Sequence, residues 1–264
     1  MKKLLALLLC LCMVFCLAAC GSQEKILVAE KESAGEGVAT TVEDFADYTY
    51  TAVDTQAKAL MEVDAGTADA AIVDYVMSIG SIGEGTDYAD LKVEGEGYSE
   101  EEYGIAFRKG SDLTAKVNEI IRELKSSGDL AKIGKTYKLD GILLGDKETD
   151  AFKQAETDSD YKYVMDKGEL IIGITYFAPM NYENEKGELV GFETEFAKAV
   201  CAKLGVTAKF QEISWAAKET ELAAKNIDCI WNGMTITEER EQNMSISIPY
   251  MQNKQVMVVK AEEK

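Results

Sequence analysis

The segment Trp231-Asn232-Gly233-Met234-Thr235-Ile236-Thr237-Glu238-Glu239-Arg240 places a small turn residue, two hydroxyls and an arginine behind an apolar run, Ile227 to Trp231. Those types at that spacing can hold a carboxylate. Thr237 with Glu238 and Glu239 predicts a helix start, an N-cap followed by early acidic residues. Arg240 then lies one turn into the helix, where its guanidinium fork can bind a carboxylate at two points. Thr235 offers an amide and a hydroxyl just beyond a strand, where α/β sheets collect their ligands. Spacing alone also allows a surface arginine paired with Glu238 or Glu241.

The elements that must position this segment alternate. Strands are predicted over Lys25–Ala29, Tyr48–Val53, Ala68–Val73 (ending at Asp74), Tyr103–Phe107, Glu169–Ile174, Lys209–Ile213, Ile227–Trp231 and Gln255–Val259. Helical spacing covers Gln56–Ala65, the stretch bearing Leu113, Val117, Ile120, Ile121 and Leu124, then Leu130–Tyr137, Glu193–Leu204 (closed by Gly205) and Ala217–Lys225. Ser33-Ala34-Gly35-Glu36-Gly37 reads as a glycine-bearing turn before a helix, and Asn181 to Gly187 as a polar, hairpin-like turn. Residues 140–160 are charged and small, a linker with some helical content. Strands alternating with helices predict an α/β fold, a sheet sandwiched by helices.

At 264 residues with 47% hydrophobic content, the chain is long enough for one large domain or two modest lobes. A net charge of −19 argues against nucleic acid as a partner. The N-terminus reads as an export signal over residues 1–19: Lys2 and Lys3 precede an apolar run, Leu4 to Leu17, of only 14 residues. That is short for a membrane helix, which needs about 20. Leu17-Ala18-Ala19-Cys20-Gly21 is similar to the lipobox of bacterial lipoproteins, which implies cleavage before Cys20 and a lipid on its sulfur. Of the six cysteines, Cys10, Cys12 and Cys16 would leave with the signal. Cys201 and Cys229 remain, read as two buried thiols with a single bridge as the alternative. With no histidine and no CxxC pair, neither zinc nor any other metal or cofactor is expected.

Residues 169–260 resemble the first half of a type II periplasmic solute-binding protein for polar amino acids. The resemblance runs through Leu170-Ile171-Ile172-Gly173, Phe177-Ala178-Pro179, Gly187-Glu188-Leu189-Val190-Gly191-Phe192-Glu193, Asn226-Ile227-Asp228 and the decapeptide. Residues 25–144 resemble the second half, through Gly66-Thr67-Ala68-Asp69-Ala70, Tyr103-Gly104-Ile105-Ala106-Phe107-Arg108-Lys109-Gly110-Ser111 and Gly128-Asp129-Leu130 with Tyr137.

The resemblance implies a two-lobe fold with a ligand cleft and a two-strand hinge near 99–103 and 250–254. It implies that Arg240 grips an α-carboxylate with the Thr235 amide. The Gly233 carbonyl and Thr235 hydroxyl would accept from an α-ammonium, and Asp74 would pair with it. Ser33 falls in the second lobe's carboxylate-binding loop. Phe177 and Trp215 would enclose the side chain, and Asn232 would contribute its backbone or amide. Asp74 read alone is equally a helix N-cap, and the two aromatics equally core. Where relatives often carry an acid that reads a cationic side chain, this chain has Ile174, and Glu30-Lys31-Glu32 replaces the usual small residues before Ser33. Ile174 with Phe177 and Trp215 favours a neutral or polar amino acid, while the Glu30-Lys31-Glu32 replacement makes contact of that loop with the ligand a departure from the family's pattern.

The halves stand in reversed order, as in a circularly permuted chain. On that reading 25–98 with 254–264 form the smaller second lobe, 104–253 form the larger first lobe, and 140–160 join the family's usual termini. The function implied is an exported, monomeric, membrane-anchored lipoprotein that delivers a free amino acid to an ABC transporter permease. The alternative is a dehydratase-like enzyme on the same fold. It needs a placed acid or base, for which Glu219, one turn after Trp215, is the candidate.

Overall fold

In a computed structural model the described residues are 24–146, 152–155 and 159–261. The expected export signal at residues 1–19, Cys20 and parts of the expected 140–160 linker lie outside them. The chain begins with β1 (Lys25–Glu30), whose last four residues are all buried. Burial on both faces follows from its place between two parallel neighbours, β2 (Tyr48–Val53) and β3 (Ala70–Asp74). The crossovers are α1 (Ala34–Thr41) and α2 (Gln56–Asp64). Ser33 caps α1, its Oγ accepting from the Glu36 amide at 3.1 Å. The expected glycine turn is thus the first turns of the helix itself. Gly35 lets that helix sit on the sheet, since a Cβ there would stand 3.0 Å from the Ile72 carbonyl of β3.

Two elements of the next stretch exceed the sequence reading. Helix α3 (Tyr75–Ser81) follows β3 directly, and β4 runs from Leu91 to Arg108 rather than from Tyr103 to Phe107. The first part of β4 is polar and bears Gly95, Gly97 and Ser99 at positive φ, so no apolar alternation marks it. Long pairing with the final strand holds it in place. Then come α4 (Leu113–Ser126), α5 (Asp129–Thr136), α6 (Asp160–Lys167), β5 (Glu169–Ile174) and the small hairpin β6 (Tyr182–Glu183) with β7 (Leu189–Val190). Helix α7 (Phe192–Leu204) ends at left-handed Gly205, as expected. It is followed by β8 (Thr207–Glu212), α8 (Lys218–Ala223), β9 (Cys229–Thr235), α9 (Glu238–Asn243), β10 (Met244–Ile246) and β11 (Met251–Lys260).

The main sheet runs β2-β1-β3-β11-β4-β9-β5-β8, with β10 beside β4. It is a mixed α/β architecture: parallel triplets flank a central antiparallel pair, β4 and β11. The central pair covers 99–103 and 251–254, nearly all of the stretches where the resemblance implies the hinge crossings; Lys254 and Gln255 carry a register break. Under the β9 side, Phe196 meets Trp231 edge-on at 5.0 Å and Tyr250 at 5.4 Å. Helix α6 is tied down by Arg108, whose Nε donates to Asp160 at 3.0 Å. Buried Asp228 takes Lys167 at 2.6 Å. Cys201 and Cys229 are buried free thiols. Among the described residues no helix is long and apolar enough to cross a membrane.

Candidate functional site

Strand β9 does not stop at Trp231. It continues through Gly233 and Thr235, so the expected turn is strand, with Gly233 at φ +54° marking an irregularity against β4. A side chain there would collide with the Phe177 ring, 2.5 Å from the position of a Cβ. Thr237 caps α9 as its sequence predicts, accepting from the Arg240 amide at 3.2 Å. The guanidinium turns away from Glu238 and Glu241. It donates to the carbonyls of Thr235 (2.8 Å) and Glu32 (3.4 Å) and lies over the Trp215 ring, 5.9 Å from its centroid. Among the described residues it makes no ion pair with a carboxylate. A half-buried cation with spare donors is suited to an anion brought from outside.

Asp74 occupies the N-cap position of α3 but makes no capping bond with its side chain. Its carboxylate is instead held by amides. Gln56 donates to Oδ2, while Asn253 and Gln255 donate to Oδ1, Gln255 at 2.8 Å. The same two amides of β11 reach Glu101 at 2.9 and 3.0 Å, and the Thr235 hydroxyl donates to Glu101 at 3.0 Å. A net of neutral donors therefore lies between two buried acids.

Both ends of the chain meet at one small cavity. From the N-terminal side come Glu30, Ser33, Ala34, Gln56 and Asp74; from the C-terminal side come Trp215, Asn232, Gly233, Thr235 and Arg240. Of the residues the resemblance assigns to the ligand site, Phe177 is the one absent from this wall; it is buried in the core behind Gly233. Ile174 is core as well. Asn232 is held by its amide onto Thr175, accepting at 2.6 Å and donating at 2.9 Å. The free space is about 10 Å³, room for roughly one water, so an amino acid requires the two walls to part. A wider cleft of about 1120 Å³ adjoins it and shares Ser33, Ala34, Thr235 and Arg240. Glu219 is exposed on that outer rim, away from the inner cavity.

Three further residues went unassigned in the sequence. Glu193, in the first turn of α7, accepts from the Gly233 amide at 2.9 Å, from Asn181 at 3.0 Å and from the Tyr250 hydroxyl. Lys218 is buried, donates to the Glu32 carbonyl at 3.3 Å and lies 4.9 Å from the Trp215 ring centroid. Burial, then the Arg240 charge, lowers its pKa to about 8. Glu30 is 4% exposed.

Burial, with the charge of Asp74 second, pushes Glu30 to about 8 and Glu101 to about 7; burial pushes Glu193 to about 7. An acid whose pKa rises on folding stabilises the fold fully below its unfolded value, near 4.5. That contribution is lost as pH climbs through the folded value. The melting temperature of the ligand-free protein should therefore fall steadily from pH 5 to pH 8 in scanning calorimetry. A flat or rising profile would contradict this electrostatic description.

Residues 170–264 match the family profile of bacterial extracellular solute-binding proteins, family 3. Among curated proteins, the L-cystine-binding protein TcyJ of Escherichia coli (strain K12) is 33% identical over 102 residues, 38% of each chain. The histidine-binding periplasmic protein of the same strain is 37% identical over 71 residues, 27% of each chain. Among solved structures, the arginine-bound domain 1 from TmArgBP is 31% identical, covering 38% of this chain and 84% of that one, with a TM-score of 0.34. The chain thus spans well under half the length of the curated relatives it matches. Residues 170–264 are thus similar to bacterial extracellular solute-binding proteins, the stretch where the sequence motifs resemble the first half of such a protein.

Proposed function

We propose that this protein captures a free amino acid as its zwitterion and delivers it to an ABC importer. The observation that carries the reading is one cavity that both Arg240 and Asp74 line. A zwitterion loses much hydration on burial, so each charge needs a partner inside. Arg240 takes the α-carboxylate with the Thr235 amide. Asp74 and the Gly233 carbonyl receive the α-ammonium, and Ser33 lies at the start of α1, whose amides favour an anion. Trp215 encloses a neutral or polar side chain, while Phe177 packs behind Gly233. A ligand touching both walls stabilises the closed form over the open one, which is closure by differential affinity.

On this reading residues 25–98 with 254–264 form one lobe and 104–253 the other, and the chain is circularly permuted. The position of the family match at 170–264, behind Asp74, supports that order. Cys20 carries a lipid that holds a monomer on the outer face of the membrane. The protein is not an enzyme. Names of the relatives, cystine- and histidine-binding, support the ligand class.

Calorimetric titration with free amino acids tests the reading. At least one should bind with micromolar or tighter affinity and be recovered unchanged. Ligand turnover, or a folded protein that binds none, would overturn it.

A further inference from the structure

Glu30 ends β1, lines the inner cavity and is 4% exposed, yet its Oε1 has no hydrogen-bond partner. Buried polar atoms are nearly always paired, so an unpaired acceptor at the wall of a cavity marks where a donor belongs. Asp74 is in the opposite condition. Gln56 occupies its Oδ2, and Asn253 and Gln255 occupy its Oδ1. A cation arriving at Asp74 alone competes with three amides, whereas at Glu30 Oε1 it meets an uncontested lone pair. The two acids are close enough that the charge of Asp74 acts on Glu30, and the Gln56 amide adjoins both.

We propose that Glu30 is a binding residue in its own right, accepting a hydrogen from the α-ammonium of the bound amino acid in a seat shared with Asp74. This rests on reading the cavity as an amino-acid site and adds a residue to it. The assignment favours the α-ammonium over a side-chain nitrogen because Glu30 stands beside Asp74, the acid that takes the ammonium on that reading.

A proton follows from this arrangement. Facing Glu30 are Asp74 at the end of β3, Lys218 on α8 and the neutral Gln56 of α2, while Glu101 of β4 and Arg240 of α9 act on Asp74. In the free protein burial and Asp74 outweigh Lys218 and hold Glu30 near 8, so it is mostly protonated at pH 7. An ammonium beside it favours the charged form. Binding then releases that proton to solvent, and affinity rises from pH 6 to pH 8, by up to tenfold per pH unit, before levelling.

The test is titration calorimetry at pH 7 in two buffers of different protonation enthalpy, on the intact protein and on Glu30→Gln. Glu30→Gln should raise Kd at least tenfold for every amino acid the wild type binds and cut proton release by close to one. A change in Kd under twofold with unchanged proton release overturns the proposal. So does a loss confined to amino acids with a side-chain nitrogen, which would make Glu30 a side-chain reader. Should the variant not fold, the wild-type pH series decides: a Kd unchanged from pH 6 to pH 8 overturns it. Wild-type protein that binds no amino acid overturns the site reading itself, a result distinct from binding without pH dependence.

Discussion

Arg240→Ala is expected to weaken amino-acid binding by about 2–5 kcal/mol, roughly 30-fold to several thousand-fold, the cost of truncating one partner of a buried charge pair. The fold should survive. Arg240 makes no ion pair among the described residues, and its side-chain bonds run to two carbonyls at the cleft, Thr235 and Glu32, which water can satisfy once the arginine is gone. Ligand-induced thermal shift reads both effects together: an unaltered ligand-free melting point with the shift abolished. Asp74 is a poorer probe than its sequence position implies. Its removal strands Gln56, Asn253 and Gln255, so Asp74→Ala lowers stability as well as binding, and the isosteric Asp74→Asn is the better test.

The second large effect is on the scaffold beneath the site. Glu193→Ala removes the acceptor shared by the Gly233 amide, the Asn181 amide and the Tyr250 hydroxyl, all buried. Each unsatisfied buried donor costs about 1–3 kcal/mol, so a loss of at least about 3 kcal/mol in denaturant unfolding is expected. Gly233 sits at φ +54° in the strand that carries Thr235, so binding should weaken even at temperatures where the variant stays folded. Glu193→Gln, which keeps acceptor capacity on one oxygen, should recover part of both. Equal stability of Glu193→Ala and wild type would show that Glu193 does not hold this strand.

The alternating elements were legible because buried strands and amphipathic helices carry their periods openly; β5, α4 and α7 sit within a residue or two of their expected bounds. The decapeptide was legible because a capping threonine, an arginine one turn later and a buried strand form a local pattern. What escaped depended on distant partners. The polar front of β4 is a strand only because β11 pairs with it, and Glu101 is buried only because Asn253 and Gln255 of β11 face it. Glu30 stands with Lys31 and Glu32 where the resemblance implies small residues. Those two are exposed and Glu30 is buried. The available signal was the continuous apolar run of β1, which in a parallel sheet buries both faces up to its last residue.

The central claim is that one cavity holds both charges of an amino acid, with Arg240 on the carboxylate. The most direct measurement is side-by-side calorimetric titration of the wild-type protein with its best-binding amino acid and with the corresponding decarboxylated amine. The amino acid should bind and the amine should not, since Arg240 and the Thr235 amide would be left without a partner. An amine that binds as tightly as its parent amino acid would contradict the account.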